Sequence, residues 1–364
     1  MGLKCGIVGL TNSGKTTLFN CMSNTKAAVT NFAFSSAKSN IGTCEVPDLR
    51  LLEIDKIVKA DKLVYATVEI VDVPGLVKGA CSGEGIGNAF LADIRQCDAL
   101  IHVLRCFEDP NLPHVDGSID PVRDIETLDL ELQVKDLEQI ERKIQKVDKA
   151  ARVGDKEAKN QLEILNRYKA HLENFQNIRT MQRSDNEEKV VEDMLLLTAK
   201  PTLYVCNVDD KSVHLGNTFS AAVNDFLKKS GQEALVIAGK LEADIAELEP
   251  DDRQMFLESE GLTEPGVNKL LRAAYRTLNL ISFFTVGGKE NRAWTITKGM
   301  TVVQAAGAIH SDLERGFIRA EVIKYTDLLQ SGSELKVKEA GKLSVEGKNY
   351  LVEDGDILHI RFNV

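Results

Sequence analysis

Short apolar runs alternate with amphipathic stretches along the first part of the chain. Leu3–Val8 is a mostly apolar run that ends at Gly9 and predicts a buried parallel strand. Gly14–Asn24 follows, with Leu18, Phe19 and Met22 at helical spacing. Thr67–Val73, rich in β-branched residues, predicts a second strand. Ala99–Leu104, Pro201–Asn207 and the short Leu235–Ala238 predict further strands. Strands separated by helical stretches imply an α/β domain with a mainly parallel sheet.

After Ala99–Leu104 the period changes. From Glu126 to about Val153 there is no proline, and Leu130, Leu137, Ile140, Ile144, Val147 and Ala151 recur at three-four spacing, with Gln133 interrupting once. Gly154-Asp155 is a turn signal, and Ala158, Leu165, Tyr168, Leu172 and Phe175 carry a second stripe. The pattern predicts an antiparallel helical hairpin. Its first arm would span about 40 Å at the helical rise, long enough to protrude. Residues 281–364 open with SFFTVG and close with ILHIRFNV, both strand-like, and Gly341–Gly355 is expected to form a hairpin. The expected organisation is an α/β domain over 1–125 and 196–280, a helical insert over 126–195, and an α+β domain over 281–364.

Composition narrows the function classes. The 364 residues, 43% hydrophobic and 27% charged, describe a globular chain of roughly two to three domains. With 45 basic and 55 acidic residues the formal charge is −10. Attraction to nucleic acid must therefore come from a local basic patch. Aromatics are 5%, with Trp294 the single tryptophan, which excludes a base-stacking groove running the length of the chain. Seven cysteines without CxxC spacing fit a reduced compartment and neither a zinc site nor a disulfide framework. No apolar run is long enough to span a membrane and no signal-type segment is visible, so a cytoplasmic protein without a membrane partner is expected.

The chemistry is concentrated in three motifs. Gly9-Leu10-Thr11-Asn12-Ser13-Gly14-Lys15-Thr16 fits GxxxxGK[ST] between a strand and a helix, the context of a phosphate-binding P-loop. Its glycines let backbone amides turn towards phosphates, and the helix N-terminus adds positive potential. Asn12, Ser13, Gly14, Lys15, Thr16 and Thr17 are the expected phosphate contacts. Lys15 supplies a charge against the β/γ-phosphates and Thr16 a hydroxyl for Mg²⁺. Asp72-Val73-Pro74-Gly75 ends the next strand, where a GTPase-type site places a second Mg²⁺ carboxylate and a γ-phosphate-sensing glycine. Asp72 therefore joins Thr16 as a metal residue, through a water, and Gly75 joins Lys15 among the catalytic residues.

Asn207-Val208-Asp209-Asp210 stands where GTPases carry Asn-Lys-x-Asp. Asn207, Val208 and Asp210 are the expected base contacts, with Val208 in the lysine position. Leu76 occupies the place of the glutamine that orients water in Ras-like enzymes, and it cannot hydrogen-bond. His114, in the loop Asn111–Ser118 after a parallel strand, is the candidate water-positioner. The competing reading is an exposed loop histidine. His102, within a strand, reads as a core residue.

GLTNSGKTTLFN, DVPGLVKGA, GEGIGN, RCFED, DPVRDIETL, RAWTITKGM and IHSDLERGFIRAEVIKY together resemble the YchF (Obg-like ATPase) family, over essentially the whole chain. The resemblance implies a P-loop NTPase domain interrupted by an antiparallel coiled-coil hairpin and followed by a TGS domain of ubiquitin-like β-grasp fold. It also implies a preference for ATP, association with ribosomes, an Asn-x-x-Glu base motif, and hydrolysis aided by a loop histidine that His114 matches. Three positions depart from that pattern. Asp210 replaces the glutamate, Ser36 stands where the first switch carries a threonine for Mg²⁺, and Ala238-Gly239-Lys240 replaces the Ser-Ala-x base loop. Ala238 and Gly239 therefore offer the base backbone amides without a hydroxyl.

The expected function is slow, Mg²⁺-dependent hydrolysis of ATP to ADP and phosphate by a ribosome-associated switch, with K⁺ a further candidate cation. The alternatives are a GTPase of ribosome assembly or translation, and a nucleotide-gated ribosome- or RNA-binding adaptor with incidental hydrolysis. Arg142, Lys143, Lys146, Lys149, Arg152, Lys156 and Lys159 surround the hairpin turn. They read either as a foot for ribosomal RNA or as a solvated face with intrahelical pairs. Nothing in the sequence requires more than a monomer.

Overall fold

The computed structural model of the chain describes residues 3–23, 39–74 and 86–363. Ser36 and Gly75 lie outside the described residues. Strand β1 (Lys4–Val8) leads into α1 (Lys15–Ser23). Then come β2 (Asn40–Val46), α2 (Leu49–Ile57), β3 (Lys62–Val64), β4 (Ala66–Asp72), α3 (Ile86–Arg95) and β5 (Ala99–Cys106). Two long helices follow, α4 (Pro121–Arg152) and α5 (Lys156–Glu173), and then the short α6 (Asp185–Val191). The next elements are β6 (Thr202–Val208), α7 (Thr218–Leu227), β7 (Ala234–Ile237), α8 (Gly239–Glu247), α9 (Pro250–Ser259) and α10 (Gly266–Thr277). After β8 (Leu280–Thr285) and β9 (Glu290–Thr297) come α11 (Val302–Ile309), α12 (Ser311–Arg315) and β10 (Phe317–Lys324). The last elements are α13 (Tyr325–Ser331), α14 (Glu334–Glu339), β11 (Ser344–Glu346) and β12 (Asp356–Phe362).

The chain divides into two units, Met1–Gly42 with Glu69–Val267 and Thr43–Val68 with Asn268–Val364. The first is built on the sheet β2-β4-β1-β5-β6-β7. β1 runs parallel to β4 and β5, β5 to β6, and β6 to β7, as the strand–helix alternation predicts. Every residue of β5 is buried, the signature of a strand covered on both faces. Parallel strands gather their C-terminal ends at one edge, where α/β proteins bind ligands. The P-loop leaves β1 there, Asp72 ends β4, the His114 loop leaves β5, Asn207 and Val208 end β6, and Gly239 follows β7.

The helical hairpin is present, and from Leu137 to Ala151 the apolar stripe packs as expected, with Ile140 and Ala151 buried and Leu137, Ile144 and Val147 against the hairpin core; its start departs from the pattern. α4 starts at Pro121, where the Asp120 carboxylate accepts the Arg123 N–H at 3.1 Å, an N-cap followed by proline. Its 32 residues span about 48 Å. Leu130 is exposed, and the buried face runs through Ile125, Leu128, Leu132, Gln133, Asp136 and Ile140. Two polar side chains can sit on that face because both are satisfied. Gln133 donates to Asn177 Oδ1 at 2.8 Å. Asp136 accepts the Leu197 and Thr198 N–H groups at 2.8 Å each and the Thr198 hydroxyl at 2.7 Å. Phe175 does not extend the second stripe: α5 ends at Glu173, and Phe175 is 76% exposed with φ 55°. The two helices close over Ile140, Ile164, Leu165, Tyr168 and Leu172.

The second unit carries the sheet β11-β10-β12-β8-β9-β3. The expected Gly341–Gly355 hairpin is not formed. β11 pairs with β10, and Leu351 bridges to Thr301. β10 is antiparallel to both β11 and β12, while β12 runs parallel to β8. β3 pairs in parallel with β9, so an early segment completes this sheet. Asn291 fixes that segment by donating to Asp55 Oδ1 at 2.9 Å and the Val58 carbonyl at 2.6 Å. No described helix is long and apolar enough to cross a membrane.

Asp136 joins α4 to the segment that re-enters the sheet. Asp136→Ala leaves two buried N–H groups without an acceptor and should lower stability by about 2–4 kcal/mol. Chemical denaturation measures the loss, and amide exchange at Leu197 and Thr198 should accelerate. Unchanged protection at both amides would show that the carboxylate does not hold the segment.

Candidate nucleotide site

The P-loop is shaped by what surrounds it. Gly9 has φ 148°, and a Cβ there would lie 2.4 Å from the Val103 carbonyl oxygen. Gly14 has φ 93°, and its Cβ would lie 2.2 Å from Asn207 Nδ2. Only glycine fits either position. Asn12 adopts φ 60°, a left-handed conformation that asparagine tolerates. Ser13 is buried, and its hydroxyl has no hydrogen-bond partner among the described residues. Lys15 is buried and donates from Nζ to the Leu10 carbonyl at 2.7 Å. Burial lowers its pKa to about 8, against the opposing pull of Asp72. Thr17, in the first turn of α1, is half-buried.

Asn207 does not wait for a base. Its Nδ2 donates to the Ser13 carbonyl at 2.9 Å and its Oδ1 accepts the Gly239 N–H at 2.8 Å. The carboxamide thus clasps the P-loop to the loop that starts α8. Val208 is buried in the core with Leu104, Cys106 and Tyr204, so its side chain offers a base nothing. Ala238 is buried in the same cluster. Among the residues expected at the base, Asp210 keeps a free acceptor: its Oδ1 is buried without a hydrogen-bond partner among the described residues.

Thr16 and Asp72 meet where the sequence expects a metal. The Thr16 hydroxyl donates to Asp72 Oδ2 at 2.9 Å. Burial raises the Asp72 carboxyl above its ordinary pKa, with Thr16 and Lys15 pulling the other way. A hydroxyl and a carboxylate side by side are oxygen donors of the kind Mg²⁺ takes, so the pair fits that ion.

His114 is neither exposed nor free. Its side chain is 3% exposed and that of Asp124 is 4% exposed. The Asp116 N–H donates to Nδ1 at 3.1 Å, so the ring hydrogen resides on Nε2, which lies 3.1 Å from Asp124 Oδ2. His114, Asp116 and Asp124 bring ligand-type atoms within 4.8 Å of one another. Arg123 lies 3.6 Å from Asp116 and 3.4 Å from Asp124, so a cation already serves both carboxylates. The loop also touches the phosphate side: Asn12 Nδ2 donates to the Pro113 carbonyl at 3.1 Å.

Two residues of this site escaped the sequence reading. Asp124 lies one turn after the N-cap Asp120, on the buried face of α4; an acid four residues beyond a capping acid was the available signal. Arg105 is buried near the end of β5, donates from Nε to the Phe107 carbonyl at 3.2 Å, and its Nη1 has no hydrogen-bond partner among the described residues. An arginine closing an apolar strand was the signal there.

The Lys15 pKa sets a pH dependence. The free amine deprotonates near pH 8, and a bound polyphosphate favours the charged form. Affinity should therefore be level below pH 8 and fall above it, by up to about tenfold per pH unit. Calorimetric titration with ADP between pH 7 and 9.5 measures this. Constant affinity across the range would show that Lys15 stays charged without ligand.

A family model described as "50S ribosome-binding GTPase" matches residues 4–167. The YchF-GTPase C-terminal model, described as a protein of unknown function, matches residues 280–363. The chain is 46% identical over 366 residues to the "Ribosome-binding ATPase YchF" of Bacillus subtilis, covering all of both chains. It is 44% identical to the protein of the same description from Escherichia coli O157:H7, again over all of both chains. A solved structure, that of the Schizosaccharomyces pombe YchF GTPase, superposes with a TM-score of 0.86 at 31% identity, covering 99% of this chain and 98% of the other. The chain belongs to the YchF family.

Proposed function

We propose that this chain binds ATP with Mg²⁺ at the P-loop and hydrolyses it slowly, as a cytoplasmic, ribosome-associated monomer. The observation that carries the proposal is the convergence of Lys15, Thr16 and Asp72 at one sheet edge, with Thr16 and Asp72 2.9 Å apart. The bacterial relatives described as ribosome-binding ATPases support both the nucleotide and the partner. Thr16 and Asp72 would hold Mg²⁺, with Ser36 as a further ligand and K⁺ as a second candidate cation. The metal would neutralise phosphate charge as it develops. The β10 pairing with β11 and β12 supports reading the C-terminal sheet as a TGS-type β-grasp.

In the reaction a water attacks the γ-phosphorus. The bond to the β–γ bridging oxygen breaks, and ADP leaves with phosphate. Lys15 stabilises charge on the β- and γ-phosphates, and Gly75 would sense the γ-phosphate. Leu76 cannot orient the water, which leaves that role to His114. To act, His114 must leave Asp124, and a partner that moves the start of α4 would release it. Slow basal turnover and acceleration by a partner follow.

A second reading concerns the base. The buried, unpartnered Oδ1 of Asp210 is an acceptor that guanine could meet with two N–H donors, where adenine offers its amino group. This favours GTP as the alternative substrate. The relatives described as ATPases favour ATP.

His114→Ala is expected to lower kcat about a hundredfold with little change in nucleotide affinity; unaltered turnover would remove His114 from the mechanism. Asp124→Asn is expected to raise basal turnover in the parent and to have no effect in the His114→Ala background. A drop in the parent would mean that Asp124 positions the imidazole and does not sequester it.

A further inference from the structure

The far end of the α4–α5 hairpin carries charge that the nucleotide chemistry does not use. Of the acids near the turn, Glu141 is held by Lys169 at 2.7 Å and Asp148 by Arg152 at 2.7 Å. Asp155 caps α5, accepting the Glu157 and Ala158 N–H groups at 2.9 and 3.1 Å. Lys143 is likewise engaged, by Asp193 at 2.5 Å. Lys146, Lys149, Lys156 and Lys159 are exposed and have no ion pair or hydrogen bond among the described residues. Lys146 and Lys149 share one face of α4, three residues apart, and Lys156 and Lys159 share one face of α5.

The support beneath them is firm. Ala151 and Ala158 are buried on either side of the turn, and small residues there let the helices approach closely. Val147 and Ile144 pack on the hairpin core. The lysines therefore project from a fixed base at the end of a helix of about 48 Å. Intrahelical pairs do form beside the tip, Arg142 with Glu138 and Arg152 with Asp148, but neither involves these four lysines. Glu157 is exposed beside Lys156, so the tip sets seven basic residues against Glu141, Asp148, Asp155 and Glu157, within a chain whose overall charge is −10.

We infer that this tip is a phosphate-backbone contact for RNA, with Lys146, Lys149, Lys156 and Lys159 as the counterion-releasing residues. The inference rests on the ribosome-association reading and says where on the chain that contact is made. Lysine ammonium groups without an aromatic neighbour at the tip suit phosphates and not bases. The contact is consequently independent of RNA sequence and steeply salt-dependent.

The test compares the full chain with a variant carrying Lys146→Gln, Lys149→Gln, Lys156→Gln and Lys159→Gln. Both are titrated with a double-stranded RNA fragment and cosedimented with purified ribosomes over a salt series. Unchanged helix content and basal ATP turnover establish that the variant is folded. The expected result is RNA affinity at least tenfold weaker, a log–log salt slope shallower by about three to four, and loss of ribosome cosedimentation. Equal RNA affinity and ribosome binding would overturn the inference. Loss of ribosome binding with unchanged RNA affinity would also overturn it, in favour of an acidic protein surface. If the parent ignores ribosomes but binds RNA through these lysines, the ribosome reading fails and the tip contact stands.

Discussion

The Asn207 carboxamide holds together the two ends of the nucleotide site. One side bonds the Ser13 carbonyl and the other the Gly239 N–H, joining loops that leave different strands. Each bond contributes only about 1 kcal/mol, but breaking either strands a buried backbone group at a further cost of about 1–3 kcal/mol. The clasp also fixes its neighbours. A Cβ at Gly14 would lie 2.2 Å from Nδ2, and one at Gly239 would lie 2.9 Å from Oδ1. Gly14, Asn207 and Gly239 form one packing unit, so the separation between phosphate and base positions is set before any ligand arrives. That preorganisation engages one Asn207 N–H and its Oδ1 before any nucleotide binds, and leaves the second N–H of the amide to donate elsewhere.

A second chain of contacts runs from the phosphate side to the helical arm. Asn12 reaches the Pro113 carbonyl, the same loop carries His114, and His114 is held by Asp124 in the first turns of α4. The helix whose far end displays the lysines thus begins at the residue that sequesters the histidine. On the proposed roles of His114 and the lysine tip, hydrolysis and partner binding would share this one helix, a physical basis for coupling them. With His114 as the proposed water-positioner, the buried His114–Asp124 pair would make the resting arrangement of the free protein inactive.

Much of this was legible in the sequence where the determinants are local. The P-loop is a contiguous motif whose glycines and lysine need only the flanking strand and helix. The parallel sheet followed from strands alternating with helices. What stayed hidden depends on distant partners. Asn207 reads as a base contact, and its further bond to Ser13, 194 residues away, has no local signal. Gln133 reads as a flaw in an apolar stripe until Asn177 meets it, and the partners of Asp136 at Leu197 and Thr198 lie more than sixty residues along the chain. β3 is too short for any period and exists because β9 offers it an edge. Gly341–Gly355 carries the turn residues of a hairpin, but β10 draws both β11 and β12 to itself.

The central claim is that a site clasped by Asn207 and read by Asp210 serves adenine nucleotides. Side-by-side calorimetric titration of the Mg²⁺-bound protein with non-hydrolysable ATP and GTP analogues tests it most directly. The account predicts tighter binding of the ATP analogue by about tenfold, or about 1.4 kcal/mol. Tighter binding of the GTP analogue would contradict it and make Asp210 a guanine reader on this scaffold.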